Sequence, residues 1–253
     1  MHHGDVTFDP PASAAPLHPG LALQLRRVVD DTGPDPDAAE MLAALDDIER
    51  LRAARFSTSA RSAAFVTGRY FLRLMTAKAI GTDPRRLRTD FSCPQCRSHG
   101  RAADHGRPGF SLDGEHLPLA LSLSRSSGFV LLGVLDLCRP MAQGEGRPAA
   151  RGLGLDLEAV DAVQFEGFDD VALSPAEKKR IHLLPPKEQL AARARLWVRK
   201  EAVVKARGTG FGPVDPSAVD VVNSTATSYL EDISACDGVE LAPLGLVAAV
   251  AVL

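Results

Sequence analysis

The stretch Leu153-Gly154-Leu155-Asp156-Leu157-Glu158 decides how the chain is read. Its leucines alternate with Gly154, Asp156 and Glu158, and this period of two predicts a strand with one apolar and one acidic face. Asp156 and Glu158 then point to the same side, roughly 6.5–7 Å apart. Two carboxylates that close repel each other unless a cation stands between them. Oxygen-only ligands suit a hard ion, Mg²⁺ above all, which keeps several waters and often bridges to substrate phosphates. The alternative is the solvated face of an edge strand.

Immediately before this strand runs Arg139 to Arg151 (RPMAQGEGRPAAR), polar with Pro and Gly, the best boundary in the chain. Further upstream, Leu117–Ser124 and Gly128–Cys138 read as two strands joined by a serine-rich turn. A helix is expected from Ser59 to Ile80, with Gly81 as its C-cap and a basic character from Arg61, Arg69 and Arg73. An earlier helix is expected from Asp35-Pro36, with Met41, Leu45, Ile48 and Leu51 in one apolar stripe. Downstream, Ser174-Pro-Ala-Glu177 fits a capping box, Glu188–Arg207 a long helix ended by Gly208-Thr-Gly210, and Leu244–Leu253 a last strand.

The two sides of the boundary echo each other. Arg69-Tyr-Phe-Leu-Arg73, with Lys78 and Gly81, resembles Arg195-Leu-Trp-Val-Arg199, with Lys205 and Gly208. Gly128-Phe-Val-Leu-Leu-Gly-Val resembles Gly245-Leu-Val-Ala-Ala-Val-Ala. The similar spacings suggest a duplicated αβ unit. The other reading is chance matching between alanine-rich helices and glycine-started strands.

Composition bounds the function. At 253 residues the chain makes one large domain or two small ones. With 45% hydrophobic and 24% charged residues it reads as globular, and a net charge of −3 excludes coating of nucleic acid by bulk charge. A local basic pocket remains open. Four cysteines make no disulfide framework, so a reducing cytosol is expected. The first 20 residues lack the basic start and apolar core of a signal peptide and read as a loose leader. The most apolar stretch, Leu244–Leu253, falls well short of the about 20 residues a membrane span needs. The expectation is a cytoplasmic monomer with neither nucleic acid nor membrane as partner.

Three further groups carry chemistry. Trp197, Glu201 and Lys205 fall at four-residue steps on one helical stripe. There Glu201 can complete a metal site while ammonium groups hold phosphate oxygens. The alternative is a surface Glu–Lys pair worth about 0.3–0.5 kcal/mol. Ser124-Arg125-Ser126-Ser127 offers hydroxyls and a guanidinium to a phosphate, or is an ordinary polar hairpin. Cys93-x-x-Cys96-x-x-His99, with His105 beyond, has zinc-like spacing but no second Cys-x-x-Cys. Cysteines packed in a loop are the other reading of it.

Ser124-Arg125-Ser126, Gly154-Leu-Asp156-Leu-Glu158 and Trp197-Val-Arg-Lys200-Glu201-Ala-Val-Val-Lys205-Ala206, in this order, resemble the 4′-phosphopantetheinyl transferases of the Sfp type. That family carries a Ser-His-Ser turn, a Gly-x-Asp-x-Glu strand and a Trp-x-x-Lys-Glu-x-x-x-Lys-Ala helix. Gly208-Thr-Gly210-Phe211 continues the last motif, while Cys93-Pro-x-Cys96 and His105-Gly-Arg-Pro108 resemble a variant common in actinobacteria. The resemblance spans about residues 45–253.

The resemblance implies an α+β fold of two similar αβ halves related by pseudo-twofold symmetry, roughly 21–145 and 146–253, with the cofactor in the cleft between them. It implies transfer of 4′-phosphopantetheine from coenzyme A to a serine of an apo acyl or peptidyl carrier protein, serving polyketide, nonribosomal peptide or fatty-acid synthesis. Asp156, Glu158 and Glu201 would hold Mg²⁺, and Glu201 would act as general base, directly or through water. Lys205 would bind phosphate, with Lys200 in the same pocket and Ser124 and Arg125 in the phosphate-contacting turn. Gly106, Arg107 and Pro108 match a segment that lies along the adenosine, and Arg52 and Arg61 lie where basic contacts to the 3′-phosphate arise. Related sequences often carry arginine at the position of Ala64. The departure is Arg125 in place of the family's histidine: a permanent charge with a bidentate fork, unable to act as a neutral acceptor. That departure keeps one rival open, a coenzyme A- or nucleotide-binding homologue with impaired catalysis. The cysteines keep another, a zinc-binding interaction protein.

Overall fold

The structure, a computed structural model, describes residues 18–28, 37–91, 106–138, 152–212, 214–222 and 229–253. The expected helix start at Asp35-Pro36, the boundary at Arg139–Arg151 and the Cys93, Cys96, His99 and His105 group lie outside the described residues.

In chain order the elements are β1 (Leu21–Arg27), α1 (Ala38–Ala43), α2 (Asp47–Ala54), α3 (Ser59–Ile80), β2 (Leu87–Thr89), β3 (Phe110–Leu112), β4 (Glu115–His116), β5 (Leu119–Ser126) and β6 (Phe129–Asp136). There follow β7 (Leu153–Ala159), α4 (Phe168–Ala172), α5 (Pro175–His182), α6 (Pro186–Arg207), β8 (Tyr229–Ile233), β9 (Ala235–Cys236), β10 (Val239–Glu240) and β11 (Leu246–Val252). Two three-stranded antiparallel sheets dominate, in the orders β1-β6-β5 and β7-β11-β8. In each, the strand that is last in the chain sits in the middle and a 22-residue helix follows the first strand. Both long helices end on a left-handed glycine, Gly81 and Gly208, where the missing Cβ removes the steric cost of positive φ.

Alternation along the strands builds the layers. In β6, Val130, Leu132 and Val134 pack with Leu72 and Met75 of α3, while Leu131 and Leu135 face the other way. In β11, Ala249 and Ala251 pack with α6, while Leu246, Ala248, Val250 and Val252 face the other way. The two outward faces share one cluster with Leu153, Leu155 and Leu157 of β7. Each sheet therefore covers the other's outward apolar face in this shared cluster, while the two helix-facing clusters each draw on one side of the chain only.

The expected first helix is corrected. Asp46 interrupts it: its carboxylate accepts from Glu49 N at 3.1 Å and Glu49 accepts from Asp46 N at 3.3 Å, a capping box that starts α2 in a new direction. Met41 and Leu45 are buried, but Ile48 and Leu51 are 44% and 62% exposed, so the apolar stripe does not continue. Glu49 turns inward instead, bonding Arg69 Nε and Arg73 Nη2 at 2.5 Å each.

Candidate functional site

Gly154 is where the site begins. A Cβ there would collide with Ala202 O and reach 2.5 Å from Ala206 N, so only glycine lets α6 lie directly on β7. That approach brings Lys205 and Glu201 over the acidic face of the strand. Lys205 Nζ donates to Asp156 Oδ1 at 2.5 Å and to Ser124 Oγ at 3.3 Å. Ser124 Oγ donates to the same Asp156 oxygen at 2.7 Å. Glu158 Oε1 accepts from Ser126 Oγ at 2.6 Å and from Ala159 N at 2.9 Å. The first half thus supplies β5 serines and the second half supplies the carboxylates and the lysine.

Burial pushes the Asp156 carboxyl above its ordinary pKa, against the opposing pull of Lys205 and Ser124, and the Glu158 charge adds to the rise. Glu201 is raised too, first by burial, then by Asp156 and Glu158, with Lys205 pulling the other way. The three carboxylates therefore act on one another, and Lys205 counters the charge of Asp156 and Glu201. Their all-oxygen chemistry and excess negative charge fit a hard divalent cation. Among the described residues, however, no three Asp, Glu, His or Cys side chains are gathered as a finished ligand set. The ammonium of Lys205 sits on Asp156 Oδ1 instead.

The other expected residues divide. Arg125 and Arg61 line the same cavity of about 920 Å³, between α1–α3 and the β5–β6 turn. Arg125 Nε donates to Ala64 O at 2.9 Å, and its guanidinium lies 5.6 Å from the Phe65 ring centre. Arg125 is exposed as a residue, yet desolvation of its guanidinium, followed by the charges of Arg69 and Arg52, lowers its pKa to about 10. Arg52 lies over Phe91 and Phe65, at 4.9 and 5.4 Å. Gly106 is exposed, with φ +96°, and Pro108 lines a second cavity of about 300 Å³. Arg107 turns to the end of α6, donating to Ala206 O, with its guanidinium against Gly208. Burial lowers its pKa.

Lys200 is a correction. It is fully buried, and its three donors go to Glu177 Oε2, Pro216 O and Val219 O at 2.8, 2.9 and 2.8 Å. Neighbours in a helix do not face the same way, so standing next to Glu201 in sequence puts Lys200 on the core side. Trp197 is half-buried against the core, stacked on Phe211 at 5.3 Å and edge-on to Phe168 at 6.0 Å. The sequence reading missed Ser122, whose Oγ accepts from Leu155 N at 2.9 Å. Its signal was the period of two in Ser122, Ser124 and Ser126.

Several known proteins are similar to this chain in sequence. A family model described as the 4′-phosphopantetheinyl transferase superfamily matches residues 152–239, which contain β7 and α6. A holo-[acyl-carrier-protein] synthase of Streptococcus suis is 32% identical over 79 residues, covering 29% of this chain and 66% of that protein. One from Streptococcus thermophilus is 33% identical over 78 residues, with the same coverage. The chain thus spans just under two thirds of the length of these synthases. The 4′-phosphopantetheinyl transferase HetI of Nostoc sp. is 26% identical over 221 residues, covering 87% of this chain and 83% of that protein.

Proposed function

We propose, since the chain belongs to the 4′-phosphopantetheinyl transferase superfamily, that it transfers 4′-phosphopantetheine from coenzyme A to a serine of an apo acyl or peptidyl carrier protein. The carrying observation is the meeting of Lys205, Asp156, Glu201 and Ser124 at the seam between the two sheets. The shared strand order of the sheets supports two halves, roughly 21–145 and 146–253, related by pseudo-twofold symmetry. Coenzyme A would lie in a cleft between them. The protein acts as a monomer in the cytoplasm. Among the described residues no helix is long and apolar enough to cross a membrane.

The carrier serine oxygen bonds to the β-phosphorus of coenzyme A, the bond from that phosphorus to the bridging oxygen breaks, and 3′,5′-ADP leaves. Glu201, with its pKa raised by burial and by the neighbouring carboxylates, takes the serine proton. Lys205 supplies a fixed positive charge to the phosphates. Arg61 and Arg125 offer guanidiniums to the cofactor's remaining anionic groups from the cavity wall. Asp156, Glu158 and Glu201 would hold Mg²⁺, which when bound neutralises charge building on the pyrophosphate.

Weighing an apo carrier protein after incubation with coenzyme A and Mg²⁺ tests this reading. The wild type should add one phosphopantetheine arm, and Glu201→Gln should bind coenzyme A but transfer at least ~100-fold more slowly. A wild type that modifies neither acyl nor peptidyl carriers sinks the proposal.

A further inference from the structure

The two central sheets meet at an unusual seam. β5 is an edge strand of one sheet and β7 an edge strand of the other, yet the two are not joined by a backbone ladder. An open strand edge leaves amide N–H groups that must find acceptors. On β7, Leu155 N and Ala159 N find them in serine hydroxyls, Ser122 Oγ at 2.9 Å and Ser126 Oγ at 3.0 Å. Ser122 and Ser126, four residues apart on β5, thus stand in for a strand partner.

A hydroxyl that accepts from an amide still has its own hydrogen to give. Ser126 gives it to Glu158 Oε1, at 2.6 Å. The Ala159 amide bonds that same oxygen, at 2.9 Å. Both bonds fall on Oε1, which pins the carboxylate's rotation and turns Oε2 to the remaining space. Ser122 differs, since its partner is backbone only.

We infer that Ser126 is a positioning residue: it ties the edge of β7 to β5 and fixes which oxygen Glu158 presents to a divalent cation, whereas Ser122 holds the seam alone. This rests on the Mg²⁺ reading of the acidic group. Carboxylates that ligate metals depend on such outer hydrogen bonds, and losing one costs about 10–100-fold in metal affinity.

The test uses Mn²⁺ as the probe, with binding to the full-length protein followed by electron paramagnetic resonance without substrate. Ser126→Ala should weaken Mn²⁺ binding about 10–100-fold, and Ser126→Thr, which keeps the hydroxyl, should restore it. Ser122→Ala should lower the melting temperature and leave Mn²⁺ affinity at the wild-type value. Coenzyme A affinity in metal-free buffer should hold in Ser122→Ala. Equal Mn²⁺ affinity in Ser126→Ala and wild type overturns the positioning role while leaving the metal reading intact. Equal weakening in both alanine variants reduces Ser126 to a seam contact and overturns it too. A wild type that binds no Mn²⁺ removes the metal reading itself, and the inference with it.

Discussion

β1 reads Leu21-Ala22-Leu23-Gln24-Leu25-Arg26-Arg27, and β7 reads Leu153-Gly154-Leu155-Asp156-Leu157-Glu158-Ala159. Each pairs along its length with the central strand of its sheet, Leu21 opposite Leu135 and Leu153 opposite Val252. By register, Gln24 stands where Asp156 does and Arg26 where Glu158 does. Counting back from the capping glycines, Leu74 stands where Glu201 does, while Lys78 matches Lys205. The helices are placed differently as well. α6 lies on β7 and β11, whereas α3 lies mainly on β6 and leaves Ala22 exposed. The two sheets share a strand order, but only the one with glycine at the second position of its first strand lets its helix descend onto an acidic strand. The site belongs to that descent, completed by serines from the other sheet.

The two halves agree where charge is buried, and breaking that agreement gives the largest expected effect. In each half a short helix opens with a capping box whose glutamate reaches a buried cation on the long helix: Glu49 on Arg73 and Arg69, Glu177 on Lys200. Arg73 and Lys200 are equidistant from their capping glycines. Glu49→Gln and Glu177→Gln each leave a buried cation without its counter-charge and should cost about 3–5 kcal/mol, measured by urea unfolding. Asp232, which holds the half-exposed Arg195 and Arg199, should cost only about 1 kcal/mol as Asp232→Asn. Equal costs for Glu177 and Asp232 would break the parallel between the buried pairs.

The glycine contrast is the next lever. Gly154→Ala forces α6 away from β7 and should cost about 1–3 kcal/mol, with transfer falling because Glu201 and Lys205 lose their place over Asp156. Ala22→Gly, on the uncovered strand of the first half, should cost no more than about 1 kcal/mol and leave transfer unchanged. Unfolding midpoints and the carrier mass assay together read both. A Gly154→Ala protein with full activity would separate the site from the helix approach.

Much of this architecture is legible in the sequence. α3 and α6 with their capping glycines, the Ser174 box, β7 with its Asp156–Glu158 face and the Trp197–Glu201–Lys205 stripe all follow from periodicity and end signals. The break at Asp46 was hidden because Met41, Leu45, Ile48 and Leu51 keep helical spacing across it. The counter-signal was Asp46-x-x-Glu49, the same box that was read at Ser174-x-x-Glu177. The match of Arg69-x-x-x-Arg73 to Arg195-x-x-x-Arg199 was misleading by a single residue. The arginines are 126 apart while the capping glycines are 127 apart. One helical step is about 100°, so Arg69 and Arg73 are buried while Arg195 and Arg199 reach Asp232 at the margin. Arg107 shows a further limit: its segment is readable, but the turn of its side chain toward Ala206 O depends on a contact 99 residues away.

The smallest expected effect separates the two capping boxes. Their first residues differ, Asp46 in one half and Ser174 in the other, and only the aspartate titrates. Burial alone would raise the Asp46 carboxyl. Hydrogen bonds from Thr89, with the Thr89 amide at 2.7 Å, and from the Glu49 amide outweigh burial, and the Arg73 charge adds to them, so the group sits below the ordinary carboxylate range. A carboxyl with a lowered folded-state pKa contributes stability that is fully present above its unfolded value, about 3.9, and is lost as pH falls through the folded value. Asp46→Ser gives the first half the second half's cap. At neutral pH it should be less stable than the wild type, since the bonds to Thr89 and Arg73 go with the carboxylate. As pH falls below about 4 the wild type should lose that advantage and the two melting temperatures converge. A gap that stays constant through acid would mean that the Asp46 charge contributes nothing, and that the two boxes are equivalent despite their different first residues.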